Sequence, residues 1–263
     1  FRRVLFRSML LLLSSCGSVP LTGRKQVLLV SDQEVLSSSL TQYSDYMKSA
    51  KKSSSKDGAA MVTRVGKKIA AATEQYLRNN GLESEIKNFA WEFNLVNDPQ
   101  VNAFCMPGGK IVVYEGLMQL VSSDDELAVV VGHEVAHAVA KHSNERMSQQ
   151  LMAQYGAQIL GQALSNKSAA VQKIGASVYG LGAQYGVMLP FSRKHESEAD
   201  YMGLVFMAMA GYNPAVAVNF WQKMSAGKSG STPEFMSTHP SDATRINEIK
   251  QHLPEIEKYR VKK

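Results

Sequence analysis

Apolar positions recur along this chain in blocks of helical period, separated by short breaks of polar residues, glycine and proline. From Asp32 to Lys48 they fall at Val35, Leu36, Leu40, Tyr43 and Met47, the spacing of one helix face. Met61 to Leu77 predicts a second helix through Met61, Val65, Ile69 and Ala72, which Asn79-Asn80-Gly81 ends. Between them, Lys51 to Gly58 is Lys- and Ser-rich and reads as a solvated loop. Phe89 to Val96 alternates large apolar with polar residues, a strand pattern that Asn97-Asp98-Pro99 turns. Ala103–Met106 and Lys110–Tyr114 flank Pro107-Gly108-Gly109 as a hairpin. Gln150 to Leu189 has weak period and many Gly, Ala and Gln, compatible with packed helices or with a flap. The last third is helical, interrupted at Gly211–Pro214, Gly227–Pro233 and Thr238-His239-Pro240. This order predicts an α+β chain, mainly α, with a small sheet.

One block differs from the rest. Leu127 to Ala140 is apolar on nearly every side and carries three ionisable residues, His133, Glu134 and His137. At about 100° per residue the two histidines share a face one turn apart, with the glutamate beside them. Burying these groups unpaired would cost several kcal/mol, so something must compensate them. A zinc ion does so: neutral imidazoles bind it, and the carboxylate holds a water against it, which is the His-Glu-x-x-His pattern of zinc peptidases. Ser123-Asp124-Asp125-Glu126 reads as a capping box, and Lys141, His142 and Arg146 suit the carboxyl half of a helix. The predicted helix spans about Asp124 to Gln149.

Composition changes the picture little. With 263 residues, 44% hydrophobic and 20% charged, the chain is ordinary globular material. Three of the 29 basic residues precede Cys16, leaving 26 against 23 acids, too small an excess for a nucleic-acid surface. No apolar run after residue 15 is long enough to span a bilayer. Arg2, Arg3 and Arg7 followed by Met9–Leu13 read as an export signal over residues 1–15, with 1–8 resembling foreign flanking sequence. Leu13-Ser14-Ser15-Cys16 resembles a bacterial lipobox, which makes Cys16 a lipid attachment site and residues 16–30 a tether to a domain over 31–263. Cys105 is the other cysteine, so no disulfide forms within the domain; it reads as a small buried apolar residue.

Two histidines leave a catalytic zinc one protein ligand short. A third histidine six residues on is excluded, because Ala140 and Ser143 occupy the positions that arrangement needs for Gly and His. The next candidate lies in Ser192-Arg-Lys-His-Glu-Ser-Glu-Ala-Asp200, where Glu196 and Asp200 stand at i, i+4. Glu196 can bind the metal while Asp200 accepts the free ring N–H of a ligand histidine. Gly203 on the same stripe would let two helices approach closely. His195 and Glu198 point elsewhere by helix geometry and read as surface groups.

Four segments taken together resemble a known family: Val101-Asn-Ala-Phe104 with Pro107-Gly-Gly109, His133-Glu-Val-Ala-His137, Ser192-Arg193 with Glu196-x-x-Ala199-Asp200, and His239-Pro240. They resemble the gluzincin peptidases related to HtpX, BepA and LoiP, over roughly residues 30–250. The resemblance implies a mainly helical zincin-like domain with a small sheet, one Zn²⁺ per chain, and endopeptidase activity in envelope protein quality control. Membrane helices like those of HtpX and the helical repeats of BepA have no counterpart here, so the short lipid-anchored members are the nearest pattern. The expected place is then the bacterial periplasm, anchored to the outer membrane through lipid on Cys16, with unfolded or misassembled envelope proteins as substrates. An alternative is a chaperone or assembly factor for outer-membrane proteins that cuts rarely.

The expected roles are zinc on His133, His137 and Glu196, and Glu134 as general base. Lys110, Ile111, Val112, Val113 and Tyr114 are expected to offer a strand edge to an extended substrate, as the resemblance implies. His239 precedes a proline that biases it toward extended backbone. The resemblance puts this histidine beside the metal, either as an oxyanion donor or as a fourth ligand that holds the site latent, the role favoured here.

Overall fold

The computed structural model describes residues 16–164, 192–226, 235, 239 and 243–261. The expected export signal, the segment 165–191, the break at 227–233 and the flanks of His239 lie outside them. Residues 16–30 pack rather than hang as a tether. Strand β1 (Cys16–Ser18), which begins at the expected lipid site, pairs antiparallel with β2 (Lys25–Val27) in a two-stranded sheet. Val19 between them is buried in the main core.

Helix α1 (Asp32–Ser49) opens with a capping box: the Ser31 hydroxyl accepts from the Glu34 N–H, and the Glu34 carboxylate accepts from the Ser31 N–H. Helix α2 (Lys56–Asn79) starts earlier than its apolar stripe predicts, because Ser55 caps it and Asp57 favours its first turn. The tail of the Lys51–Gly58 loop is therefore helix. A short α3 (Glu83–Ile86) follows. Strand β3 (Glu92–Val96) runs parallel to β5 (Lys110–Tyr114), and β4 (Ala103–Met106) runs antiparallel to β5, in the order β3-β5-β4. The hairpin closes because Gly108 and Gly109 accept φ of 93° and 80°. Helix α4 (Glu115–Met118) leaves the sheet.

Helix α5 (Asp124–Val139) holds the His-Glu-x-x-His motif and every residue from Leu127 to His137 is buried. Its cap is split: the Ser123 hydroxyl accepts from the Glu126 N–H, but the Glu126 carboxylate takes the Ser122 N–H in place of that of Ser123. The predicted long helix breaks after Ala140. Lys141 adopts a left-handed φ of 56°, which costs a non-glycine residue about 1 kcal/mol or more. Its ammonium offsets that strain by pairing with Asp32 at 2.6 Å and Glu85 at 2.9 Å, tying the break to α1 and α3. Helix α6 (His142–Leu164) then runs in a new direction. The remainder is α7 (Arg193–Met209), α8 (Val216–Ala226) and α9 (Ala243–Ile256). Among the described residues no helix is long and apolar enough to cross a membrane.

The core forms where α5 meets α2, α7, α8 and the inner face of the sheet. The crossing of α5 on α7 is backbone against backbone. A Cβ at Gly203 would lie 2.7 Å from the carbonyl carbon of Gly132 and from the nitrogen of His133. The reverse addition at Gly132 would meet the Gly203 carbonyl oxygen at 2.8 Å. Neither neighbour is a flexible side chain, so the helices must separate to admit a methyl. Gly203→Ala is expected to cost about 1–3 kcal/mol in denaturant unfolding and to lower metal content in the folded fraction.

Candidate metal centre

Each helix delivers its polar residues to one point between α5 and α7. His133 and His137 come from the same face of α5, as their spacing predicts, and Glu196 reaches across from the first turn of α7. His239 arrives from the segment that precedes α9, where its N–H donates to the Phe235 carbonyl at 2.8 Å. One donor atom from each of His133, His137, Glu196 and His239 lies within 4.8 Å of the other three, and all four side chains are buried. His133 Nε2 is 3.1 Å from His137 Nε2 and 3.3 Å from His239 Nδ1. The Glu196 carboxylate lies 3.4 Å from His133, 3.3 Å from His137 and 3.1 Å from His239.

Two tests show that these residues suit a metal. First, Asp200 Oδ1 sits 2.9 Å from His133 Nδ1, so it takes that ring's proton and leaves the Nε2 lone pair facing the centre. His137 Nδ1 likewise has a partner, His142 Nδ1 at 2.9 Å. With both Nδ1 atoms engaged, the two Nε2 atoms face one another across 3.1 Å, an arrangement that a shared proton or a metal ion satisfies. Second, tetrahedral zinc with nitrogens at about 2.0–2.1 Å spaces its ligands by about 3.4 Å, close to the separations seen. Among the described residues the buried Glu134 Oε1 has no hydrogen-bond partner and stands 3.5 Å from His239 Nε2, as a group that receives a water or substrate would.

Electrostatics set the protonation states. Burial alone would lower the pKa of His133, but Asp200 and Glu196 outweigh it and raise it to about 9. Burial drives His137 the other way, well below the usual imidazole range. Glu134 is raised, again by burial, which suits a proton acceptor that works near neutrality. Its other oxygen accepts from the Cys105 N–H of β4 at 3.3 Å. Burial pushes up Glu196 and Asp200 too, but hydrogen bonds to His133, His137 and His239 lower Glu196, and the Arg245 guanidinium with His133 lowers Asp200, so both stay ionised.

Arg245 is the functional residue that the pattern left unnoticed. It is buried on α9, with Nη1 2.8 Å from Glu196 Oε2 and Nη2 donating to Asp200 Oδ1 at 3.0 Å. Its Nε also donates to Asp200, and its guanidinium lies 4.7 Å above the Trp221 ring. Arginine four residues before Ile249 on a buried stripe was the available signal. His195 and Glu198, read as surface groups, are 4% and 7% exposed and sit in a second polar cluster with His142 and Glu145. They turn inward because α6 and the amino-terminal strap cover that side of α7.

The Lys110–Tyr114 strand does not provide the expected substrate edge. Both of its edges are occupied, by β3 and β4, and all five residues are buried. Among the described residues no strand pairs with the outer edge of β4, which forms one wall of a cavity of about 410 Å³. α1 forms the opposite wall, and Glu134, His137 and His239 lie at its floor.

A buried His-Glu-x-x-His helix crossed by a glutamate-bearing helix, against a small sheet with a free edge strand, defines a zincin-like metallopeptidase domain. The chain belongs to peptidase family M48, whose description matches residues 63–253. Among curated relatives, the fission-yeast mitochondrial metalloendopeptidase OMA1 is 36% identical over 74% of this chain and 53% of its own length. The Arabidopsis thaliana protein of that name is 40% identical over 64% of this chain and 33% of its own. The beta-barrel assembly-enhancing protease of Yersinia pestis is 33% identical over 62% of this chain and 36% of its own. The chain thus spans a third to about half of the length of these relatives. These matches overturn the expected placement in the bacterial periplasm and outer membrane, because mitochondrial proteins match at higher identity and over more of the chain. A short leader pattern and a four-residue lipobox carry too little information to outweigh them.

The raised pKa of His133 sets a pH dependence. A group raised from about 6.5 to about 9 on folding stabilises fully below 6.5, and the contribution is lost as pH rises through 9. The metal-free protein is therefore expected to melt at progressively lower temperature from pH 6.5 to 9.5, and saturating zinc should flatten that slope. Arg245→Ala removes the guanidinium that pairs with both buried carboxylates, leaving them to the histidines alone, and is expected to cost about 3–5 kcal/mol in chemical unfolding.

Proposed function

We propose that this chain is a zinc-dependent endopeptidase domain that cleaves misfolded or misassembled proteins. The observation that carries the reading is the convergence of three ring nitrogens and a carboxylate beside the buried Glu134, whose Oε1 has no hydrogen-bond partner among the described residues, at the floor of an open cleft. His133, His137 and Glu196 would hold a single Zn²⁺, which when bound acidifies a water and polarises the scissile carbonyl. Glu134 accepts the proton from that water and returns it to the departing amine, a task its upward-shifted pKa suits. The β4 backbone binds the substrate as an added strand along its free edge, and its Cys105 N–H steadies the other oxygen of Glu134. Among the described residues the cleft walls hold Val35, Ser38, Ser39, Gln42, Phe104 and Met147 and no Asp, Glu, Lys or Arg apart from Glu134, which supports broad acceptance of neutral segments.

His239 supports a latent resting state. Its Nδ1 points at the donor atoms and its Nε2 at Glu134, so it fills the space that water and carbonyl would need. The ring stacks on Phe235 at 4.6 Å, and the His239 N–H donates to the Phe235 carbonyl. Release would follow loss of those two contacts.

Glu134→Gln is expected to retain one zinc per chain by metal analysis while losing casein cleavage by three orders of magnitude or more. His137→Ala should lose both, as should the wild type after chelation. Cleavage by the Glu134→Gln protein at a rate near wild type would sink the mechanism. His239→Ala separates two roles: basal cleavage rises if the ring blocks the site, and falls at unchanged metal content if it stabilises the oxyanion.

A further inference from the structure

The residues outside the donor set form a second buried chain of hydrogen bonds. It begins at the ligand-facing histidine of α5. His137 presents Nε2 to the centre, and its Nδ1 lies 2.9 Å from His142 Nδ1. One of those two nitrogens must donate and the other accept. His142 Nε2 is 2.9 Å from Glu198 Oε2, an acceptor, so the His142 proton belongs on Nε2 and its Nδ1 is left to accept from His137. The rings of His137 and His142 meet edge to face at 4.8 Å, and His142 stacks on His195 at 4.4 Å, which holds its plane.

Glu198 is itself fixed by residues far away in sequence. Arg24 Nε donates to Glu198 Oε2 at 2.8 Å, and Thr22 donates to Glu198 Oε1. The same guanidinium donates twice to Glu145, at 2.7 and 2.8 Å, and Glu145 lies 3.1 Å from His195 Nε2. Arg24 thus joins the amino-terminal strap (the residues of β1, β2 and their turn) to α6 and α7 in one contact. His142 is fully buried, and the Arg24 side chain is 13% exposed.

Resting on the metal-centre reading above, we propose that His142, Glu198 and Arg24 form a positioning relay for His137. The relay fixes which ring nitrogen of His137 carries the proton and how the ring is turned, and the strap through Arg24 and Thr22 closes it. Asp200 performs this task for His133 directly. For His137 it passes through a second imidazole, which makes the amino-terminal strap a working part of the centre. No covalent step is involved; the relay moves no net proton when it acts only to orient.

The test is zinc release from the full, zinc-loaded chain to a chromophoric chelator, alongside the visible spectrum of the cobalt-loaded protein. His142→Phe removes both hydrogen bonds and keeps an aromatic ring. It is expected to release zinc ten- to a hundredfold faster and to shift the cobalt spectrum. His142→Gln can accept from His137 and donate to Glu198, and it should release zinc at close to the wild-type rate. Arg24→Met should lie between them, while Arg64→Met, which breaks an exposed pair with Asp124, should match the wild type. Melting of the metal-free proteins reports folding. If His142→Phe does not fold, the comparison of Arg24→Met with Arg64→Met decides, and equal release rates overturn the relay. Equal release by His142→Phe and wild type, or equal loss by Phe and Gln, also overturns it. A wild-type protein that binds no zinc overturns the metal-centre reading, and the relay with it.

Discussion

The approach of α5 to α7 at Gly132 and Gly203 is the constraint on which the rest of the structure depends. Only at that separation can Glu196 reach across to the two histidines and Asp200 reach the back of His133. A helix crossing made by backbone atoms has little freedom to slide, because each glycine seats against carbonyl and amide groups of its neighbour. The donor geometry is thus a property of the packed core, and the site inherits the rigidity of a helix buried from Leu127 to His137.

The cost of this design is a high density of buried charge. Glu134, Glu196, Asp200 and Arg245 all lie within the centre, with His133, His137 and His239. Arg245 reconciles them, since one guanidinium touches both carboxylates that support the ligands and rests on Trp221. Its positive charge leaves a negative surplus, and His133 with a pKa near 9 reports that surplus. A site that favours a proton at neutral pH favours a divalent cation more, and metal binding must then release that proton. The rings of Trp221, Phe235 and His239 pack around His133 and lower the local dielectric, which strengthens each of these interactions.

Access is arranged on the opposite side. The free edge of β4 and the polar face of α1 leave a cleft that reaches Glu134, while β5 is sealed between its neighbours. Lys141 secures this wall, because its pairs with Asp32 and Glu85 hold α1 and α3 against the break between α5 and α6. The left-handed turn at that residue redirects α6 and brings His142 behind His137. The change of direction therefore serves both the cleft and the centre.

Much of this was legible in the sequence because it depends on local spacing. Residues three or four apart on one helix must share a face, which is enough to pair His133 with His137 and Glu196 with Asp200. The hairpin at Pro107-Gly108-Gly109 and the ends of α1 are also local, set by turn and capping chemistry. Strand order is not, and Lys110–Tyr114 became an inner strand because β3, eighteen residues earlier in register, pairs with it in parallel. His195 and Glu198 read as surface groups since a helix pattern cannot reveal that a strap 170 residues earlier covers them. Arg245 needed Asp200 and Glu196 opposite it to be more than a charge on an amphipathic helix. The sequence by itself determined the chemistry available, through residue type and helical period. Which side chains meet, and which become buried, was decided by the tertiary structure, because contacts between distant segments follow from packing and leave no periodic trace in the chain.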